Sequence, residues 1–191
     1  MNTDFSHKER LTELLRFETS KLEEGKTISF KEYVANMKTD QNEIYYISGN
    51  HRDVIDRNPN LEYFKTNDIE VIYLTDPVDI FTFPYIRDYA GKEVKSIDKA
   101  DVDVTKIKKS SDESLNEEQT KTLTEKIKEI LADRVEDVIE SKRLISSPAT
   151  IVVGKQGLDH QMEKMMQMMD KEFTASKKIL EINPSHKLIM N

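Results

Sequence analysis

Neither cysteine nor tryptophan occurs among the 191 residues, and only five glycines and five prolines are present. Without thiols there are no disulfides, thiolate metal ligands or thiol nucleophiles, which agrees with a reducing compartment, and cytoplasmic is the expected location. Gly25, Gly49, Gly91, Gly154 and Gly157 cannot be assembled into a Walker loop or a G-x-G-x-x-G turn, so the sequence contains no phosphate cradle. No apolar run approaches the length of a membrane span, and the start MNTDFSHKER lacks the basic and apolar regions of a secretory signal, so no membrane association is expected. Basic charge is in deficit: 29 Lys and Arg stand against 36 Asp and Glu, for a net charge of −7. With no Lys/Arg-rich block to neutralise phosphates, no nucleic-acid partner is expected. His7, His51, His160 and His186 form no H-x-x-x-H pair, and no metal site is expected. In a chain that is 34% charged, a pair of carboxylates means a solvated face before it means acid–base chemistry.

What is present reads as two small units of mixed helix and strand. KERLTELLRFETS carries Leu11, Leu14, Leu15 and Phe17 at helical spacing, and Ser29 with Glu32 makes a capping box for a second helix. EIYYISG (Glu43 to Gly49) and IEVIYLTD (Ile69 to Asp76) are rich in β-branched and aromatic residues, with helical material between them. This is a βαβ unit with parallel strands buried on both faces. Asp76 as N-cap and Pro77 at the first position open a further helix, predicted to run through Phe81 and Ile86 towards Tyr89, with a kink at Pro84 and a stop at Gly91. By itself the βαβ unit also permits a doubly-wound small-molecule or nucleotide-binding enzyme, with a site near Ser48, Gly49 and Asp76.

A polar, charged stretch follows and is expected to be a linker over 99–111. Beyond it, Asn116 and Gln119 form another capping box, ahead of a helix with Leu123, Ile127, Ile130 and Leu131 on its apolar stripe. VEDVIESKRL and ATIVVG are predicted as the two strands of a β-hairpin joined through Ser146, Ser147 and Pro148. The fold class is therefore α/β and α+β: a small three-layer unit with parallel βαβ, then an α+β unit with a hairpin and an amphipathic helix.

That helix is the most informative local feature. Five of the eight methionines lie within 162–169, and Leu158, Met162, Met165, Met166, Met169 and Phe173 fall on one face at 100° per residue. Asp159, His160, Glu163, Lys164, Gln167, Asp170 and Lys171 fill the opposite arc. Burying this stripe would stabilise the protein by roughly 10 kcal/mol, so core packing is its simplest role. Methionine's rotamer freedom, however, specifies a core poorly and suits an adaptable surface.

The segment FKEYVANMKTDQNEIYYISG, followed by LEYFKTNDIEVIYLTDPVD, GKEVKSID, RVEDVIESKRLISSPATIVV and ILEINPSHKLI, resembles in order the blocks of the ninety-kilodalton heat-shock chaperone family, in particular its bacterial branch. The resemblance covers nearly the whole chain. It implies the end of a middle domain at 1–98, the linker at 99–111, and a carboxy-terminal domain at 112–191 that stops before the family's dimerisation helices. ATP, magnesium and ATPase activity would then belong to the parent, with no enzyme activity and no cofactor here. The parent would be a homodimer and this chain a monomer or weak dimer. The resemblance further implies that partly unfolded client proteins bind at Phe81, Leu158, Met162, Met165, Met166 and Met169.

Overall fold

Each element traces to a local signal. The computed structural model describes residues 8–102, 114–154, 157–158, 160–170 and 172–191, with side chains for all of these except 8, 9, 80 and 81. Helix α1 (Lys8–Leu14) stops earlier than its apolar spacing predicts. Leu14 is exposed, while Phe17 is buried in a bridge to Ile28, ahead of strand β1 (Glu18–Thr19). Backbone pairing at Phe17 takes the hydrogen bonds that further helix would have used. Helix α2 (Phe30–Asn36) has the predicted capping box: the Ser29 side chain accepts from the Glu32 amide at 3.2 Å, and Glu32 accepts from the Ser29 amide at 2.8 Å.

Strand β2 (Glu43–Ser48) and strand β3 (Val71–Leu74) are parallel as predicted, joined through α3 (Arg52–Asp56) and α4 (Glu62–Thr66). Both faces are covered. Tyr45, Ile47, Val71 and Tyr73 pack on Ile55, Leu61 and Phe64, whereas Ile44, Tyr46, Ile72 and Leu74 pack on Phe30, Tyr33, Phe83 and Ile86. The period-two alternation of these sets is what makes a three-layer unit. Tyr33 ties the layers together by donating to the Glu70 carbonyl at 2.5 Å and accepting from the Tyr45 amide at 3.2 Å. Burial pushes its phenol up to about 12.

The predicted long helix after Asp76 is corrected. Helix α5 (Pro77–Thr82) ends before Pro84, and a 3₁₀ turn over Phe83–Tyr85 replaces the kink. Proline cannot donate to the preceding turn, and here the chain leaves the helix altogether. Tyr89 lies in strand β4 (Asp88–Tyr89), antiparallel to β5 (Lys92–Ser96), and Gly91 sits in the hairpin turn with φ 73°, beside Ala90 at 49°. Paired left-handed residues form the tight turn that suits strand twist. The five-stranded sheet has the order β1-β3-β2-β5-β4.

Of the predicted linker, residues 103–111 lie outside the described residues, while Lys99 bridges to Val153 and Val102 is buried. Helix α6 (Glu117–Leu131) carries the predicted Asn116/Gln119 capping box. Leu123, Ile127 and Leu131 pack beside Val135 and Val138, but Ile130 is 81% exposed and leaves the predicted stripe. Strand β6 (Val135–Glu140), strand β7 (Ala149–Val153), helix α7 (His160–Met169), strand β8 (Lys178–Ile182) and helix α8 (Lys187–Met190) complete the chain.

The mixture of helices and strands in two mixed sheets bears out the fold class, with one correction of pairing. β6 and β7 are not a hairpin, since β8 lies between them, parallel to β6 and antiparallel to β7. The connection over 141–148 reverses the chain across the width of β8 and not in a tight turn. Asn183 holds it by donating its side-chain amide to the Ser147 carbonyl at 3.1 Å and its backbone amide to the Pro148 carbonyl at 2.8 Å.

The same connection joins the two sheets. Arg143, 1% exposed, donates Nε to Glu181 at 3.1 Å, one terminal nitrogen to the Lys99 carbonyl at 2.8 Å and the other to the Ile97 carbonyl. Glu62 accepts from the Ile145 amide at 2.6 Å, the Ser146 amide at 2.9 Å and the Ser147 hydroxyl at 2.5 Å. Burial alone would raise the Glu62 carboxyl, but the Ser147, Ile145 and Ser146 donors outweigh it and hold the group below its ordinary value of 4.5.

Two outcomes follow from this junction. Replacing Arg143 by Ala leaves Glu181 buried and uncompensated, which costs about 3–5 kcal/mol, read by urea unfolding. Because the folded carboxyl of Glu62 titrates below the unfolded one, its contribution is complete above about pH 4.5 and disappears as pH falls through the folded value. Amide exchange at 145–147 should accelerate over that acidic window in the wild type and already be fast at neutral pH in Glu62→Ala.

Candidate functional site

The methionine helix is presented by a turn that only a small residue can make. A Cβ on Gly157 would stand 2.3 Å from Val153 Cγ1, so glycine lets the chain cross β7 closely before α7 begins. The helix is shorter than its apolar period. It occupies 160–169, with Leu158 before it and Phe173 after it. Asp159 and Lys171, expected on its polar arc, lie outside the described residues.

Its anchor is the residue that the sequence placed on the polar side. Glu163 is 4% exposed, accepts from the Ser176 hydroxyl at 2.7 Å and amide at 3.2 Å, and is ion-paired with Lys178. Burial works to raise this carboxyl, but the donors from Lys178 and Ser176 prevail and lower it. Glu163, placed on the polar arc by its spacing, is thus buried and not solvated. A clue was present: Glu163 lies only 60° round the helix from Met166, and Ser176 and Lys178 sit at alternating positions entering β8.

Pinned on this side, the helix distributes its apolar residues unevenly. Leu158 and Met162 form one wall of a cleft of about 340 Å³, whose other wall includes Tyr46, Phe83 and Ile86. Met165 and Met166 are half-buried, whereas Met168 is 83% and Met169 73% exposed. Among the described residues, no α7 methionine belongs to any of the three clusters of buried apolar side chains. The structure therefore brings Leu158 and Met162 to the cleft and leaves Met169 at the free end of the helix. Phe81 lies on α5, which is in contact with α7, but its side chain falls outside the described residues. On the same short helix the Asp79 carboxyl is pushed up to about 6, by burial first and by Asp76 second.

Of the alternative site near Ser48, Gly49 and Asp76, the first two line one cleft together and Asp76 is not part of it. Asp76 accepts from the Val78 amide at 2.9 Å as an N-cap, and Gly49 is small because a Cβ would stand 2.5 Å from Ile55. That cleft, shared by Ser48 and Gly49, lies on the opposite side of α7 from the one at Leu158 and Met162. Among the described residues, no group of His, Asp and Glu is arranged to hold a metal ion, and no helix is long and apolar enough to cross a membrane.

The helix is thus held by a polar clasp, with Met168 and Met169 exposed at its free end. Comparison with known proteins agrees with the order of blocks read above: the family described as Hsp90 protein matches residues 1–191. The chain belongs to the Hsp90 family. It is 50% identical over 191 residues to the chaperone protein HtpG of Chlorobium phaeovibrioides, covering all of this chain and 31% of that protein. It is 49% identical over 193 residues to HtpG of Chlorobaculum tepidum, covering 100% of this chain and 30% of that protein. HtpG of Desulfitobacterium hafniense is 43% identical over 189 residues, or 97% of this chain and 30% of its own length. The chain thus spans about a third of the length of these relatives.

If Glu163 is what holds α7, Glu163→Ala should release the helix without unfolding either sheet. The expected result is amide exchange over 160–169 accelerated by about tenfold or more while β2 and β3 remain protected. Uniform acceleration through both sheets would assign Glu163 to global stability instead.

Proposed function

We propose that this chain is the client-holding part of a molecular chaperone, binding partly unfolded polypeptide along Leu158, Met162, Met165, Met166 and Met169, with Phe81 of the facing helix. The observation that carries the reading is that, among the described residues, these methionines belong to none of the clusters of buried apolar side chains although their helix is firmly anchored. A flexible thioether surface gains burial against many different sequences, which a substrate of undefined shape requires. On the opposite arc, the exposed polar side chains of His160, Lys164 and Gln167 keep the rest of the helix surface hydrophilic.

In the parent, the Arg143 and Glu62 junction would transmit movement between the ATP-driven part and the dimerisation region. On this reading ATP, magnesium and hydrolysis belong to the parent outside this chain, as does stable homodimerisation. The chain itself supplies no catalytic group and works in the cytoplasm.

Dilute peroxide should oxidise Met168 and Met169 first, ahead of Met162, Met165 and Met166, and all of these ahead of Met37, which packs against a core cluster. Replacing Met168 and Met169 together by Ser should cost less than about 1 kcal/mol of stability and weaken binding of a permanently unfolded reporter chain. Unchanged reporter affinity in that double variant, and in one carrying Met162→Ser and Met166→Ser, would remove the methionine face from client binding.

A further inference from the structure

The three-stranded sheet has one edge that the protein fills only in part. Bonds at the two ends of β7 set the phase of its ladder. The Ile182 carbonyl accepts from the Ser141 amide at 2.7 Å, on the β6 side, so Ile182 and its opposite residue Ala149 do not bond each other. At the far end the Val153 amide donates to the Asp98 carbonyl at 2.8 Å, and its carbonyl accepts from the Ala100 amide at 2.9 Å, again away from β8. Backbone groups alternate in direction along a strand, so Ile151, midway between Ala149 and Val153, also turns its N–H and C=O outward. The chain at 98–100 occupies the edge at Val153, and among the described residues no loop or turn bonds the backbone of Ile151. Its side chain stays 50% exposed.

A cleft of about 470 Å³ lies along this edge, bounded by Val54 and Asn60 on one side and by Lys164 of α7 on the other. Its volume falls within the roughly 300–1,000 Å³ typical of ligand sites. Ser48, 8% exposed, lines it, and among the described residues the Ser48 hydroxyl is buried without a hydrogen-bond partner. Buried hydroxyls are rarely left so. Of the charges lining the cleft, Lys178 is ion-paired with Glu163 and Asp98 accepts from Asn60 at 2.9 Å. Lys164 is exposed and makes no ion pair among the described residues, so the cleft offers one uncommitted cation.

We propose that the β7 edge at Ile151 accepts an extended polypeptide segment as an added strand, with a carboxylate side chain of the segment on Lys164. Open backbone donors and acceptors at the pitch of a strand recognise extended backbone whatever its sequence, and the half-exposed Ile151 receives an alternate apolar side chain. The site is separate from the methionine face, on the far side of the same helix, so either can fail while the other stands.

The probe is a fluorescein-labelled nonapeptide of alternating valine and threonine with a glutamate at each end. A matched peptide N-methylated at alternate amides keeps the side chains but cannot add to an edge. The first peptide should bind and slow amide exchange at Ile151 in the unmodified protein, and N-methylation should weaken binding by about tenfold or more. Ile151→Pro, tolerated at an edge because its N–H lies outside the ladder, should weaken binding comparably, and Lys164→Glu by about threefold to tenfold. Absence of binding at millimolar peptide, or equal affinity for the two peptides, would overturn the proposal. So would loss of binding in the Met168/Met169 serine variant but not in Ile151→Pro, which would assign the peptide to the methionine face. Protection of Ile151 that rises with protein concentration in the absence of peptide would assign the edge to a second copy.

Discussion

The buried Arg143 guanidinium is the constraint on which the arrangement of the two sheets depends. It neutralises Glu181 within the three-stranded sheet and donates to the Ile97 and Lys99 carbonyls at the end of the five-stranded one. A charge so deeply placed is tolerated only when its donors are all directed at acceptors, and this one has acceptors from both sides of the junction. Ser141 completes the set by donating to the same Glu181 carboxylate at 2.7 Å while accepting from the Arg143 amide at 3.2 Å. The 141–148 connection is consequently a structural part and not a loose tether. Glu62 reads its outer half through the Ile145, Ser146 and Ser147 donors, so one short segment is gripped at both ends by ionised groups.

Helix α7 is held by similar means and for a different outcome. Glu163 receives Ser176 and Lys178 on one side of the helix, which fixes its position without requiring the methionines to pack. Apolar burial stabilises most surface helices, and it would have drawn this stripe into a core. Substituting a polar clasp allows an apolar face to remain partly wet on an ordered element, as Met168 and Met169 do. The helix also divides two clefts, one at Leu158 and Met162 and the other at Lys164.

Much of the local structure was legible in the residues. Ser29 with Glu32 and Asn116 with Gln119 specify helix starts through short-range geometry, and both boxes are present. EIYYIS and VIYL announce themselves as strands buried on two faces, and their parallel pairing follows from the length of the connection between them. The family, too, was legible, because its blocks appear in order along the chain. Of the candidate site, the apolar residues of α7 could be named but not their exposure. Leu158, Met162 and Met169 share one arc on paper, yet two of them line a cleft and the third is open to water.

The remaining features required the folded chain because they rest on partners distant in sequence. Glu163 looked like a rim residue until Ser176 and Lys178 were brought against it by the return of β8. VEDVIE and ATIVV read as a hairpin because adjacency along the chain is the default, and only the insertion of β8 with hydrogen bonds on both its edges displaced that pairing. Sequence alone settled the periodicities, caps and turn residues, since these act over a few positions along one element. Tertiary structure decided the strand order, the burial of Arg143 and Glu163, and the open edge at Ile151, since each depends on which remote groups arrive to complete a hydrogen bond.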